Sequence, residues 1–358
     1  MTALTLTALL NGVWQGALLV ALVALALRLW PQRNAATACA LWTATYFLVA
    51  ALPLIDVATA HPAQALAASV AVHRAGFVIS RAAPFTVLLW TSAAVVLLVR
   101  LLWRFAVVLE LKTDAKPLDA PGAALDLRRG RPVALGASAR VRVPCAIGFV
   151  RPMIVVPTAL ADALEPADLT RVIVHEHAHL RRYDDWLNAA QRIVGALLFF
   201  HPVLHYVARR IDFEREVACD DVVLHAIGHP LAYAECLTNI VDRQLRGRRI
   251  AVVPGFFVGR SQVLARVDRL IDASRDVSPR IAASGPLLAA VLLFTAFGLA
   301  QLQMPVVAAP TAFQPPRCTE GADAATTAAA RIQPRSVSSA QVSAINDAAV
   351  TVRTASTE

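Results

Sequence analysis

Four stretches of the chain carry no charged side chain: residues 1–27, 34–55, 82–99 and 281–316. A helix needs about 20 mostly apolar residues to cross a ~30 Å hydrocarbon layer, because each residue rises 1.5 Å. Inside that layer the backbone must satisfy its own hydrogen bonds, so each apolar run of this kind is predicted to be a helix. The sequence predicts four spans, at 8–29, 35–55, 84–103 and 281–302. The first run lacks a basic N-terminal region and another span follows almost at once, so it reads as a retained anchor and not as a cleaved leader. Composition agrees: 57% of the residues are apolar and 16% charged, whereas an average soluble protein has about 25% charged.

Most of the Arg, Asp and Glu fall in residues 104–280, a length that can bury a core of its own. The predicted organisation is three N-terminal helices in 1–103, a polar domain at 104–280, a fourth helix at 281–302 and a tail at 303–358. The tail is rich in Ala, Thr, Ser and Pro and too poor in large apolar residues to fold alone. Basic residues are retained on the cytoplasmic side of a membrane. Arg28 and Arg33 crowd the first short connection, and Arg100, Arg104, Lys112 and Lys116 crowd the exit of the third span. The longer second connection holds only Arg74 and Arg81. This predicts a multi-pass protein of the plasma (inner) membrane, with both termini external and 104–280 cytoplasmic. The intervening segment, 57–83, reads as an external loop or a surface-lying stretch.

The formal charge of +9 is spread over the chain without a basic helix or an aromatic-interleaved patch, so no direct nucleic-acid binding is predicted. The five cysteines form no CxxC pair, which argues against a thiolate zinc site and against a disulfide framework.

Chemistry concentrates in DLTRVIVHEHAHLRRYDD, at 168–185. His175 and His179 are i and i+4, so on a helix they face the same way and two neutral imidazoles can bind one zinc ion. Glu176 lies beside them, placed to act as general base on water. A catalytic zinc takes three protein ligands and keeps one position open, so a further His or Glu must come from elsewhere. The best source is FEREVACDD, at 213–221, where Glu216 and Asp220 are again i and i+4. Glu216 then coordinates the metal while Asp220 hydrogen-bonds a ligand imidazole. The competing reading is a solvated acidic face paired to Arg209, Arg210 and Arg215. His177 is expected to project away from the metal face. His201 and His205 read as packing histidines with Pro202 marking a helix start, although a role in stabilising an oxyanion stays open. The apolar run 193–208 reads as a buried helix, being too short and interrupted for a span.

The stretch VIVHEHAHLRRYDDWLNAAQRIVGALLFFHPVLHYVARRIDFEREVACDD, together with GFVRPMIVVPTAL before it and NGVWQGALL in the first span, resembles the BlaR/MecR-type membrane metallopeptidases. The resemblance runs over about residues 1–300. It implies a membrane α-helical bundle carrying a cytoplasmic α+β, mainly helical, HExxH zinc-protease domain. By that resemblance Zn²⁺ is the cofactor, His175, His179 and Glu216 are its ligands, Glu176 is the general base and Asp220 orients a ligand histidine. It also implies a signal transducer, embedded in the lipid bilayer, whose protein substrate is a cytosolic DNA-binding repressor, and it leaves room for a homo-oligomer. The segment GFVRPMIVVP would be an edge strand along which a substrate peptide adds, the alternative being an ordinary core strand. The chain departs from the antibiotic-sensing members after the fourth span: no SxxK follows, so direct acylation by a beta-lactam is not expected. Two other readings use the same motif, an HtpX/CAAX-like protease for membrane-protein quality control or processing and a non-catalytic metal-binding receptor or scaffold. The scaffold would close all four metal positions with protein ligands, typically including Cys, and Cys219 has no second cysteine to support it.

Overall fold

A computed structural model describes residues 2–30, 33–59, 76–119, 131–246, 260–283 and 285–301. Helices α1 (Thr2–Leu29) and α2 (Ala35–Thr59) pair in antiparallel fashion. Their close approach depends on glycine. A Cβ added at Gly12 would lie 2.9 Å from Pro53 Cγ, and one at Gly16 would lie 2.8 Å from Val49 Cγ1. Small residues at a helix contact let the backbones close up where no hydrophobic force in lipid would drive them together. Leu19, Val23 and Leu27 of α1 pack with Trp42, Tyr46, Val49 and Leu52 of α2. Ala296 and Leu299 join them from the last described helix, α10 (Gly285–Gln301). Gln15, fully buried, donates to the Leu299 carbonyl at 3.1 Å.

Helix α3 (Gly76–Thr113) behaves differently. Only 6% of its apolar window is buried, so its surface is left to the surroundings. It runs unbroken through Trp103 and Arg104, and at its end Lys112 donates to the Arg151 carbonyl, so no linker separates membrane helix from polar domain. Helices α1, α2 and α3 are each long and apolar enough to cross a membrane. The apolar part of α10, Leu287–Leu299, is shorter. Of the segment 57–83, residues 60–75 lie outside the described residues and the flanks are helical ends; the tail from 302 also lies outside them.

The polar domain opens with four strands: β1 (Lys116–Pro117), β2 (Ala134–Ser138), β3 (Cys145–Ile147) and β4 (Met153–Pro157). Their order is β1-β2-β4-β3, with β2 and β4 parallel and the outer pairs antiparallel. The β-branched run of β4 is fully buried at Ile154, Val155 and Val156, as expected of a strand covered on both faces. Ile154 and Val156 pack against Leu169, Ile173 and Leu180 of helix α5 (Pro166–Arg181), after the single-turn α4 (Thr158–Ala161). Pro166 sits in the first turn of α5, where its missing N–H costs nothing.

Tyr183, in the left-handed region at φ 59°, turns the chain from α5 into α6 (Asp184–Leu197). The apolar run 193–208 is therefore not the single buried helix expected from sequence. It breaks at Leu198–His201, and α7 (Pro202–Ile227) begins where Pro202 marks a start. Helices α8 (Pro230–Arg246) and α9 (Arg260–Ile271) complete the domain. A buried polar bond ties it to the spans, Tyr46 Oη donating to the Gln191 carbonyl at 2.9 Å, while Arg215 of α7 donates to Gln191 Oε1 of α6 at 2.9 Å.

The glycine contact is testable. Gly16→Leu overpacks the α1–α2 seam and should cost about 1–3 kcal/mol, lowering the thermal unfolding midpoint in detergent. Gly298→Leu, at a glycine with nothing within 4 Å, should leave it unchanged.

Candidate metal centre

The sheet fixes α5 on its inner face, and α7 crosses the opposite side of α5. One helical turn of α5 presents His175 and His179 to α7, with ring centroids 5.0 Å apart. Glu216 meets both: Nε2 of His175 is 3.6 Å from Glu216 Oε2, and Nε2 of His179 is 3.6 Å from Oε1. The three ligand atoms lie within 4.8 Å of one another. A tetrahedral ion with bonds of ~2.0–2.1 Å separates its ligands by about 3.3 Å, so a small inward movement would let these groups hold a divalent ion. Structure thus brings together the three residues that spacing singled out.

The other ring nitrogens are already committed, which leaves each Nε2 for the metal. His175 Nδ1 lies 3.2 Å from Asp220 Oδ1 and 3.1 Å from the Tyr233 hydroxyl, which itself donates to Asp220 at 2.7 Å. His179 Nδ1 lies 3.0 Å from Asp184 Oδ2. Asp220 is almost fully buried, and Arg266 of α9 grips it with two bonds of 2.8 and 2.7 Å. Burial would raise the Asp220 pKa; the Arg266 charge and hydrogen bonds outweigh it and bring it down to about 2. Arg266 also reaches Glu216 Oε2 at 3.1 Å. Against burial, the His175 hydrogen bond and the Arg266 charge hold the Glu216 carboxyl below the usual carboxylate range. Burial likewise opposes the His175 imidazolium, but Asp220 and Glu216 prevail and raise its pKa to about 10. Metal binding would then displace a proton.

The fourth side opens into a cleft of about 700 Å³. Its walls include Glu176, residues 140–147 with strand β3, and Leu237, Ile240, Val263 and Arg266 from α8 and α9. The charge of Glu176 is felt at Cys145 of β3, whose thiol is pushed up to about 12 by burial first and Glu176 second. Strand β4, the second half of GFVRPMIVVP, lies between β2 and β3. The edge beside the cleft is therefore β3, because the run Ile154–Val156 is apolar enough to be covered on both sides and takes the centre.

The acidic helix is not a solvated face. Glu214 is fully buried against Arg269 at 2.9 Å and Arg210 at 3.6 Å, and Asp221 is fully buried against Arg275. His177, His201 and His205 do not line the cleft. His201 caps α7, its Nδ1 accepting from the Leu204 N–H, and His205 Nε2 meets the Phe199 carbonyl at 2.6 Å. Sequence reasoning missed Asp184, Tyr233 and Arg266. The acidic pair at 184–185, five residues past His179, was the one available signal; Tyr233 and Arg266 arrive from distant helices. A second donor group, His179, Asp184 and Cys219, lies on the Nδ1 side. His179 and Asp184 line the cleft but Cys219 does not; it is fully buried, and burial pushes its thiol up, away from thiolate.

A family model described as BlaR1 peptidase M56 matches residues 12–244. "Regulatory protein BlaR1" of Bacillus licheniformis is 22% identical over 170 residues, which cover 47% of this chain and 28% of that protein. "Methicillin resistance mecR1 protein" of Staphylococcus aureus (strain Mu50 / ATCC 700699) is 25% identical over 92 residues, covering 26% of this chain and 16% of that one. The aligned part thus spans under a third of either relative.

Asp184→Asn should weaken zinc affinity about 10–100-fold, the usual effect of losing a carboxylate that orients a ligand histidine, in competition with a chelating dye. Arg266→Met leaves Asp220 buried without its arginine and should cost about 3–5 kcal/mol of stability, read as a lower denaturation midpoint.

Proposed function

The chain belongs to the BlaR1 peptidase M56 family, and from that premise we propose that it is a membrane-anchored zinc endopeptidase that transduces a signal by cleaving a cytosolic DNA-binding repressor. The observation that carries the reading is the convergence of His175, His179 and Glu216, with Glu176 beside them on an open cleft. A closed structural site would need a fourth protein ligand where this one meets the cleft.

When bound, zinc supplies the Lewis acidity that makes water a usable nucleophile near neutral pH and polarises the scissile carbonyl. Asp220 and Asp184 hold the two imidazoles in the tautomer that offers Nε2, and Arg266 keeps Asp220 ionised. Glu176 accepts the proton of the attacking water and returns it to the leaving amine. The substrate adds to the open edge of β3 as an extended strand, so backbone hydrogen bonds set its register and alternate side chains select among the wall residues Val141, Leu237 and Ile240.

In this reading 1–103 contributes three spans and α10 a fourth, 104–280 is the cytoplasmic protease domain, and both termini, with the tail 303–358, are external. The cell's inner (plasma) membrane is the location. The repressor target rests on the word "regulatory" in the name of one relative and on the chemistry of peptide cleavage.

Glu176→Gln should retain zinc at the wild-type stoichiometry and lose about 10²–10⁴-fold in turnover. Comparative proteomics of cells expressing each form should find a DNA-binding protein that disappears only with the intact chain. Equal loss of the same protein in both would overturn the reading.

A further inference from the structure

The turn between α6 and α7 is apolar, uncharged and seated among the spans, although neither helix is both long and apolar enough to register as one. Residues 193–208 contain no Asp, Glu, Lys or Arg, and Arg192 and Arg209 bracket them. Leu204, Val207 and Ile211 share one core with α1, α2 and α10, and Val194 and Leu198 pack against it.

Two contacts give its depth. The indole N–H of Trp90 in α3 donates to the Leu197 carbonyl at 2.9 Å, and Trp90 lies within the charge-free run 82–99, ten residues before Arg100. His201 Cε1 would lie 3.6 Å from a Cβ at Gly16 of α1. Gly16 is 13 residues from Leu29, or about 20 Å of helix rise. At the other end of the same lever, Val217 and Ala218 of α7 pack against Ala35, the first residue of α2.

The turn is also chemically fit for a place without water. Carbonyls in lipid must find partners inside the protein. At the turn the Leu197 carbonyl accepts from Trp90, the Leu198 carbonyl from the His201 N–H at 2.9 Å, and the Phe199 carbonyl meets His205. Outward, meanwhile, the hairpin exposes Ile193 (45%), Leu197 (38%), Phe200 (40%) and Tyr206 (47%). Val95, Val96 and Val99 of α3 are exposed and apolar as well.

We propose that residues 193–208 form a re-entrant hairpin that enters the bilayer from the protease side and meets lipid acyl chains through Ile193, Leu197, Phe200 and Tyr206. The proposal goes beyond the protease reading and rests only on α1–α3 being membrane helices. Its consequence is positional. Asp184 and Glu216 sit at the base of the two arms, so the metal centre lies close to the level where α2 enters the membrane, and a substrate must present its peptide at the membrane surface.

The test uses the full chain reconstituted in phosphatidylcholine vesicles doped with a phosphatidylcholine that carries a diazirine near the acyl terminus. After illumination, adducts are mapped by mass spectrometry. Peptides spanning 193–206 should label to the same order as the α3 face at Val95–Val99. Leu231 serves as the contrast: it is exposed and apolar, but it follows the far end of α7, about 40 Å of helix rise from His201, and should stay unlabelled. Labelling of α3 with none in 193–206 would overturn the hairpin, whether water or a second copy of the chain covers it. Absence of label on α3 as well would instead remove the membrane placement on which the hairpin rests.

Discussion

One crossing, of α5 over α7, governs this molecule. It places two imidazoles against one carboxylate, and the carboxylates buried beside them are tolerable only because each has a partner. Glu214, Asp220 and Asp221 are buried on a single helix. Such carboxylates would be prohibitively costly alone and are retained because each faces an arginine. Arg266, Arg269 and Arg275 all come from α9 and the turn after it. Helix α9 is thereby locked to α7 through ion pairs as well as through the apolar contact of Val223 with Leu270, and the chain then leads on to α10.

That arrangement links the site to the membrane by two routes. Through α9 and α10 the arginine row is continuous with an apolar helix packed on α2. Through α6 and α7 the groups that orient His179 and complete the ligand set continue into an apolar hairpin that shares a core with α1 and α2. A change in the packing of the spans thus has mechanical access to the ligand geometry from both sides. Such access is the physical requirement if the proposed hydrolytic centre is to answer to events among the helices.

What the sequence made legible follows from the range of its signals. The four apolar runs stand out because a span is defined by length and composition alone, and three of them are helices long enough to cross. The pairs His175/His179 and Glu216/Asp220 are legible because one helical turn is a local rule, so each half of the site could be assembled without knowing the fold. Arg266 and Tyr233 are not legible, since they are delivered by packing from helices 46 and 13 residues beyond Asp220 and obey no spacing. The break at Leu198–His201 hides inside an apolar run, because hydropathy does not register a reversal of direction. Strand order is hidden for a similar reason. GFVRPMIVVP shows β character, but its central place in the sheet depends on where β2 and β3 settle.

Zinc-edge X-ray absorption on the purified full chain reads out which side chains hold the ion. The expected result is a first shell of nitrogen and oxygen only, at ~2.0–2.2 Å, with the scattering of two imidazoles, and a loss of that shell in Glu216→Ala. A sulfur scatterer at ~2.3 Å would put the ion on Cys219 at the Nδ1 side of His179. It would contradict the hydrolytic centre built on Glu216.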